Sequence, residues 1–112
     1  MEKYIGSAGL KNIDYINRKA ELNIVIGFSE YHGKGLGTEA TKLIIKYGFD
    51  YLNLNKIYLK FIKFNESAEK AYTKAGFKYI CELQKDIYYE GFYHNQVYME
   101  ILREDYLLQQ NI

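Results

Sequence analysis

Three glycines at alternate positions, Gly33, Gly35 and Gly37, are followed by Thr38 and stand between an apolar alternating run and a helical pattern. Anion binding is the chemistry such a stretch supports. Glycine lets a backbone come close to a ligand and tolerates positive φ. A helix that opens at Leu36 adds free N–H groups and the positive end of its dipole. The run before the loop places Leu22, Ile24 and Ile26 on one face of a strand and Glu21, Asn23 and Val25 on the other. With Val25 also covered, Glu21 becomes a carboxylate in a partly enclosed place.

Spelling narrows the ligand. A P-loop requires four residues between its first two glycines and a hydroxyl after its lysine, whereas Gly27 and Gly33 are separated by five residues and Lys34 is followed by Gly35. In a dinucleotide fingerprint Gly33 and Gly35 are correctly spaced, but Thr38 stands at the third glycine. The same three glycines also serve as a tight connection that holds no ligand.

Composition excludes other classes. With 15 basic and 14 acidic residues the net charge is +1, which argues against a chain built to neutralise nucleic acid or coat an anionic membrane. Cys81 is the sole cysteine, so no intrachain disulfide forms, and its alternating surroundings suggest a small buried thiol. One cysteine with His32 and His94 offers no metal cluster, and no metal is expected. No apolar run approaches the ~18 residues of a membrane span. A single domain over residues 1–112, soluble and cytoplasmic, is the expectation.

The elements that would position the loop follow from periodicity. An irregular strand is expected over residues 3–13, a turn over 14–18 and a strand over 20–26. A helix follows from Leu36, with Leu36, Ala40, Leu43, Ile44, Tyr47 and Tyr51 inward and Thr41, Lys42, Lys46 and Asp50 outward. Residues 56–64 read as a central strand, apolar on both faces, and therefore parallel to 20–26 in a β-α-β unit. Asn65 is a suitable N-cap for a short helix that has Ala68, Ala71, Tyr72 and Ala75 inward and Gly76 as its stop. Residues 77–88 and 92–102 read as a hairpin turning at Glu90-Gly91, and the tail after Arg103 as a frayed end. The order is β-β-α-β-α-β-β in an α+β fold with a mixed sheet.

These residues carry a resemblance. The stretch Glu30 to Ala40, with Gly33-Lys34-Gly35-Leu36-Gly37-Thr38 at its centre, resembles the acetyl-CoA loop of the GNAT superfamily of N-acetyltransferases, with His32 where that pattern has Gln or Arg. Asn65-Glu66-Ser67-Ala68 through Tyr72, closing on Ala75-Gly76-Phe77, resembles a second motif of the family. Gly91 to Met99 resembles the branch that acetylates ribosomal-protein N-termini, polyamines and amino sugars, where an Asp more often stands at Asn95. The resemblance covers most of residues 20–102 and implies the acyl-CoA N-acyltransferase fold without its first strand and helices.

The resemblance implies acetyl transfer from acetyl-CoA, a cosubstrate, to a small-molecule or peptide amine. His32, Gly33, Lys34, Gly35, Leu36, Gly37 and Thr38 would hold the pyrophosphate. Ile24, Val25 and Ile26 would meet the pantetheine arm through their backbone between two splayed strands, with Asn65 and Ser67 on the other side. Tyr72 would be the general acid and Glu21 the candidate base. The absent first elements form much of the family's acceptor site, so a second copy is expected to complete it as a homodimer. A non-catalytic CoA-binding or structural remnant is the competing expectation, and an unrelated nucleotide-binding domain the third.

Overall fold

The computed structural model describes residues 6–26, 36–63 and 66–110, and gives the backbone alone at 6–8, 24–26, 36–37 and 66–67. Gly6–Asp14 (β1) and Lys19–Ile26 (β2) form an antiparallel hairpin. Its turn is closed by the Asp14 carboxylate, which accepts the N–H groups of Ile16 at 3.0 Å and Asn17 at 2.9 Å. The irregularity expected of the first strand is a register shift between Lys11 and Asp14, with Asn12 at φ 53°. Leu36–Lys46 (α1) leads through a π-helical turn, Tyr47–Tyr51, to Lys56–Ile62 (β3). Glu66–Ala75 (α2) then precedes Lys78–Tyr89 (β4) and Phe92–Leu102 (β5).

The five strands form one sheet in the order β1-β2-β3-β5-β4. β2 and β3 are parallel, as a strand-helix-strand unit requires, and every other neighbouring pair is antiparallel. β3 lies in the middle and buries Ile57, Leu59 and Phe61 on one face, opposite Ile101, Met99 and Val97 of β5. This face carries the core, together with Ala20, Leu22, Ile45, Phe49, Ala75 and Phe77. Glu90 at φ 50° and Gly91 at φ 84° form the two-residue turn between β4 and β5, the left-handed pair that matches the twist of a hairpin. Gly76, at φ 113°, ends α2 where expected, and the N–H of Phe77 returns to the carbonyl of Tyr72 at 3.0 Å.

Three expectations are corrected. The inward stripe of the first helix is not the one that periodicity suggested: Leu43 is 65% exposed, Tyr51 76% and Tyr47 46%, whereas Thr41, Ile45, Gly48 and Phe49 are buried. Both sets have helical spacing, and the sheet selects the one that allows close approach. A Cβ at Gly48 would lie 2.8 Å from Ile57 Cδ1 and 3.2 Å from Leu10 and Leu54. The π-helical turn then carries Phe49 into the core.

The tail is not frayed. Arg103–Gln110 is a helix, α3. Tyr106 is buried, stacks on Phe49 at 5.0 Å and donates to the Asp50 carboxylate at 3.1 Å. The Arg103 guanidinium caps the carbonyls of Phe49 at 2.8 Å and Leu54 at 3.3 Å. Docking on the end of the π-helical turn, rather than helix propensity, makes this segment ordered. Cys81 is half-buried rather than enclosed.

Candidate active site

The parallel pair does not stay paired. β2 and β3 match only at Lys19↔Lys56, Ala20↔Ile57 and Glu21↔Tyr58. Beyond this, β2 continues to Ile26 with β1 as its only ladder neighbour, and β3 continues to Ile62 with β5 as its only one. A gap therefore opens within the sheet, edged by residues 22–26 on one side and 59–62 on the other. Backbone N–H and C=O groups on these edges have no ladder partner across the gap and are available to a ligand that presents amides of its own. Ile24, Val25 and Ile26 lie on this edge, held from behind by Ala8, Ser7 and Gly6.

β2 ends at the open end of the gap, and the next described element is α1. Leu36, Gly37 and Thr38 form the first turn of that helix, whose leading N–H groups lack helical partners, and Thr38 is half-buried. His32, Gly33, Lys34, Gly35 and Asn65 lie outside the described residues, and Ser67 is described as helical backbone only.

Tyr72 and Glu21 come to the gap from opposite faces of the sheet. Tyr72 projects from α2 onto the core face. Its ring lies 5.8 Å from Phe61 on the free part of β3 and 6.0 Å from Phe77. Burial raises the pKa of its phenol above the ordinary 10.0, so the group keeps its proton at neutral pH. Glu21 occupies the last paired position, just before the strands part, and faces away from the side shared by Ala20 and Leu22. It is only 4% exposed. Its Oε1 accepts from Asn12 Nδ2 at 3.0 Å, and its Oε2 lies 3.8 Å from Lys11 Nζ.

A polar network that sequence reasoning missed crosses the sheet at the open end. Lys63, directly after β3, donates its backbone N–H to the carbonyl of Asn95 at 2.9 Å, and its Nζ lies 3.2 Å from Glu82 Oε1. Asn95 Nδ2 donates to Glu82 Oε2 at 2.6 Å, and Asn95 Oδ1 accepts the N–H of Lys85 at 2.9 Å. The bonds from Asn95 and Lys63 hold the Glu82 carboxyl below its usual range, and Glu82 raises the Lys63 ammonium. The residues come from two strands and a turn, so no spacing in the sequence announces them. Asn95 at a position where the family branch more often has Asp was the only signal.

Two surface hollows are lined by residues other than those edging the gap. One of about 500 Å³ is lined by Lys63, Glu69, Lys70, Thr73 and Lys74, and one of about 420 Å³ by Leu43, Lys46, Tyr47 and Tyr51. Neither contains Tyr72 or Glu21.

A mixed sheet whose central parallel strands part along their length is the framework of an acyl-CoA N-acyltransferase. Residues 1–78 match the family described as "Acetyltransferase (GNAT) domain", and the chain belongs to that family. It is 42% identical over 104 residues to the spermidine N(1)-acetyltransferase of Escherichia coli K12, an alignment covering 93% of this chain and 55% of that protein. With a putative ribosomal N-acetyltransferase of Bacillus subtilis it shares 32% identity over 101 residues, covering 90% of this chain and 55% of the relative. Among solved structures, spermidine N-acetyltransferase from Vibrio cholerae in complex with CoA and spermine superposes with a TM-score of 0.85 at 36% identity, covering 92% of this chain and 60% of that one. The chain thus spans a little over half the length of the curated relatives it matches.

Proposed function

We propose that this chain binds acetyl-CoA in the gap between β2 and β3 and transfers the acetyl group to a primary amine by direct attack within a ternary complex. The observation that carries the reading is the parting of β2 and β3 after Glu21 and Tyr58, which leaves two strand edges unpaired beyond that point. The amides of a pantetheine arm fit edges of that kind, and the first turn of α1 suits a pyrophosphate. A similar structure that holds CoA and spermine supports CoA as the ligand.

The residues divide the work as follows. Backbone N–H groups along Ile24, Val25 and Ile26 orient the thioester and polarise its carbonyl. The loop from His32 to Thr38 holds the pyrophosphate, with Asn65 and Ser67 on the far side of the arm. Tyr72 donates its phenolic proton to the departing thiolate as the nitrogen–carbon bond forms and the carbon–sulfur bond breaks, and the proton that the nitrogen sheds on becoming an amide balances the one the phenol gave up. Glu21 takes the proton that the ammonium substrate must shed before its nitrogen can attack. Spermidine is the first acceptor to test, because relatives at 42% and 36% identity are spermidine acetyltransferases.

The same reading has the chain acting as a single domain, in the cytoplasm, as a homodimer. Exposed Tyr88, Phe92 and Tyr93 at the β4–β5 tip support association with a second copy. A second reading, CoA binding without turnover, is favoured by one observation: both oxygens of Glu21 already have partners in Asn12 and Lys11.

Calorimetric titration with acetyl-CoA, followed by product detection with spermidine and a panel of primary amines, tests the proposal. Binding with turnover that falls in both Tyr72→Phe and Glu21→Gln supports the enzyme. Binding without turnover on any amine selects the second reading. Absence of binding by a folded sample refutes both.

A further inference from the structure

The gap between β2 and β3 has to be held open. Residues 59–62 of β3 have a ladder on one side only, and their free edge faces the equally free edge of β2. Unpaired edges of this kind attract one another, because each buried N–H and C=O gains by finding a partner. A tie that acts from the β5 side would keep the end of β3 away from β2.

The Lys63 network acts there. It continues the β3–β5 ladder one residue past Ile62↔Gln96 through the bond from Lys63 N to Asn95 O. The Lys63 side chain then passes β5 and reaches Glu82 on β4, so the end of β3 is tied to two strands at once. Asn95 locks the arrangement by holding Glu82 with its amide nitrogen and the N–H of Lys85 with its amide oxygen. Lys85 sits in a bulge at φ 50°, where β4 runs from Leu83 to Ile87 while β5 runs only from Gln96 to His94. Each member of the row has its partner, which makes a polar network rigid rather than costly.

We infer that Lys63, Glu82 and Asn95 form a brace that draws the end of β3 toward β5 and β4 and so keeps the slot for the pantetheine arm open before the cofactor arrives. These are positioning residues, which touch the cofactor through the shape of β3 and not directly. The inference rests on the proposed site of acetyl-CoA.

The test compares two ligands and one backbone measurement. Acetyl-CoA needs the slot, whereas adenosine 3′,5′-diphosphate, which lacks the pantetheine arm, needs only the surface at the α1 loop. Asn95→Ala and the milder Glu82→Gln are expected to weaken acetyl-CoA binding about tenfold, the scale of a misplaced binding wall, and to leave adenosine 3′,5′-diphosphate unchanged. The charge-swapped double variant Lys63→Glu/Glu82→Lys restores the ion pair but leaves the Asn95 amide nitrogen without its acceptor, and should recover part of the loss seen in Lys63→Glu alone. Hydrogen exchange at Leu59–Ile62, measured without ligand, should slow in Asn95→Ala as the free edge of β3 finds β2. Equal weakening of both ligands, or unchanged exchange at Leu59–Ile62, overturns the brace. If the wild-type chain binds neither ligand, the cofactor assignment fails, and the exchange comparison still decides the brace separately.

Discussion

The two ends of the β2–β3 pair differ in how the sheet is completed. At the closed end Ala20 and Ile57 face each other with no exposed surface, and Ile57 is matched on its other side by Ile101, which is equally buried. Ion pairs flank this end, Lys11 with Glu21 on one side and Lys56 with Glu100 at 3.0 Å on the other. At the open end β3 has lost one neighbour, Ile62 is only half-buried, and the tie runs outward from Lys63 to β5 and β4. Stability is concentrated where the ladder is complete. The ligand site occupies the stretch where hydrogen bonding has been left for something else to finish, which is where strained or incomplete structure tends to be kept.

The largest effect should follow from breaking the closed end. Ile57→Ala removes a fully buried side chain with Gly48 packed over it, and we expect a loss of about 3 kcal/mol in denaturant unfolding. Ile62→Ala at the open end should cost about 1 kcal/mol or less, since the side chain is half-exposed already. Equal losses would mean that the two ends are equally structural.

Tyr72→Phe sharpens the contrast in the opposite sense. The ring contacts with Phe61 and Phe77 survive, so the melting temperature should stay within the error of the wild type. Turnover should fall about a hundredfold if the phenol is the proton donor. A variant that melts early and keeps its rate would make Tyr72 a packing residue.

Arg103→Met tests whether the far end of α1 contributes. Two carbonyls, of Phe49 and Leu54, lose a charged donor, for an expected cost of about 1–2 kcal/mol. Acetyl-CoA affinity in the folded fraction should be unchanged, because these groups stand at the end of the helix remote from the loop.

The smallest effect is a titration. Burial raises the Tyr72 pKa above its unfolded value of 10.0, so the folded state holds that proton more tightly. The resulting stability is fully present below about pH 10 and is lost as pH rises through the folded pKa. An ultraviolet phenolate titration of wild type minus Tyr72→Phe should show one group ionising later than a free tyrosine. A difference curve centred at or below the free value would contradict the burial of this ring.

Much of the framework was legible in the chain. Alternation in residues 20–26 and 56–64, with helical spacing between them, pointed to a parallel pair, because neighbouring parallel strands need a crossover of about that length. Gly76 and the Glu90-Gly91 pair announced a helix stop and a hairpin through backbone conformations that few other residues accept. The glycine loop and Tyr72 could be singled out as candidates because their signals lie within short stretches.

Other features depended on distance in the fold. Two sets of residues on the first helix were equally periodic, and only the approach of Ile57 to Gly48 chose Thr41, Ile45 and Phe49 over Leu43, Tyr47 and Tyr51. The polar tail became α3 because Arg103 and Tyr106 found Phe49 and Asp50, more than fifty residues away. Glu21 gained Asn12 and Lys11 from the neighbouring strand, and Lys63 gained Glu82 and Asn95, through registers that no local pattern encodes. Local chemistry determines which conformations each stretch of this chain can adopt. Which face is buried, where two strands part and what holds them apart are decided only when residues far apart in sequence compete for the same contacts.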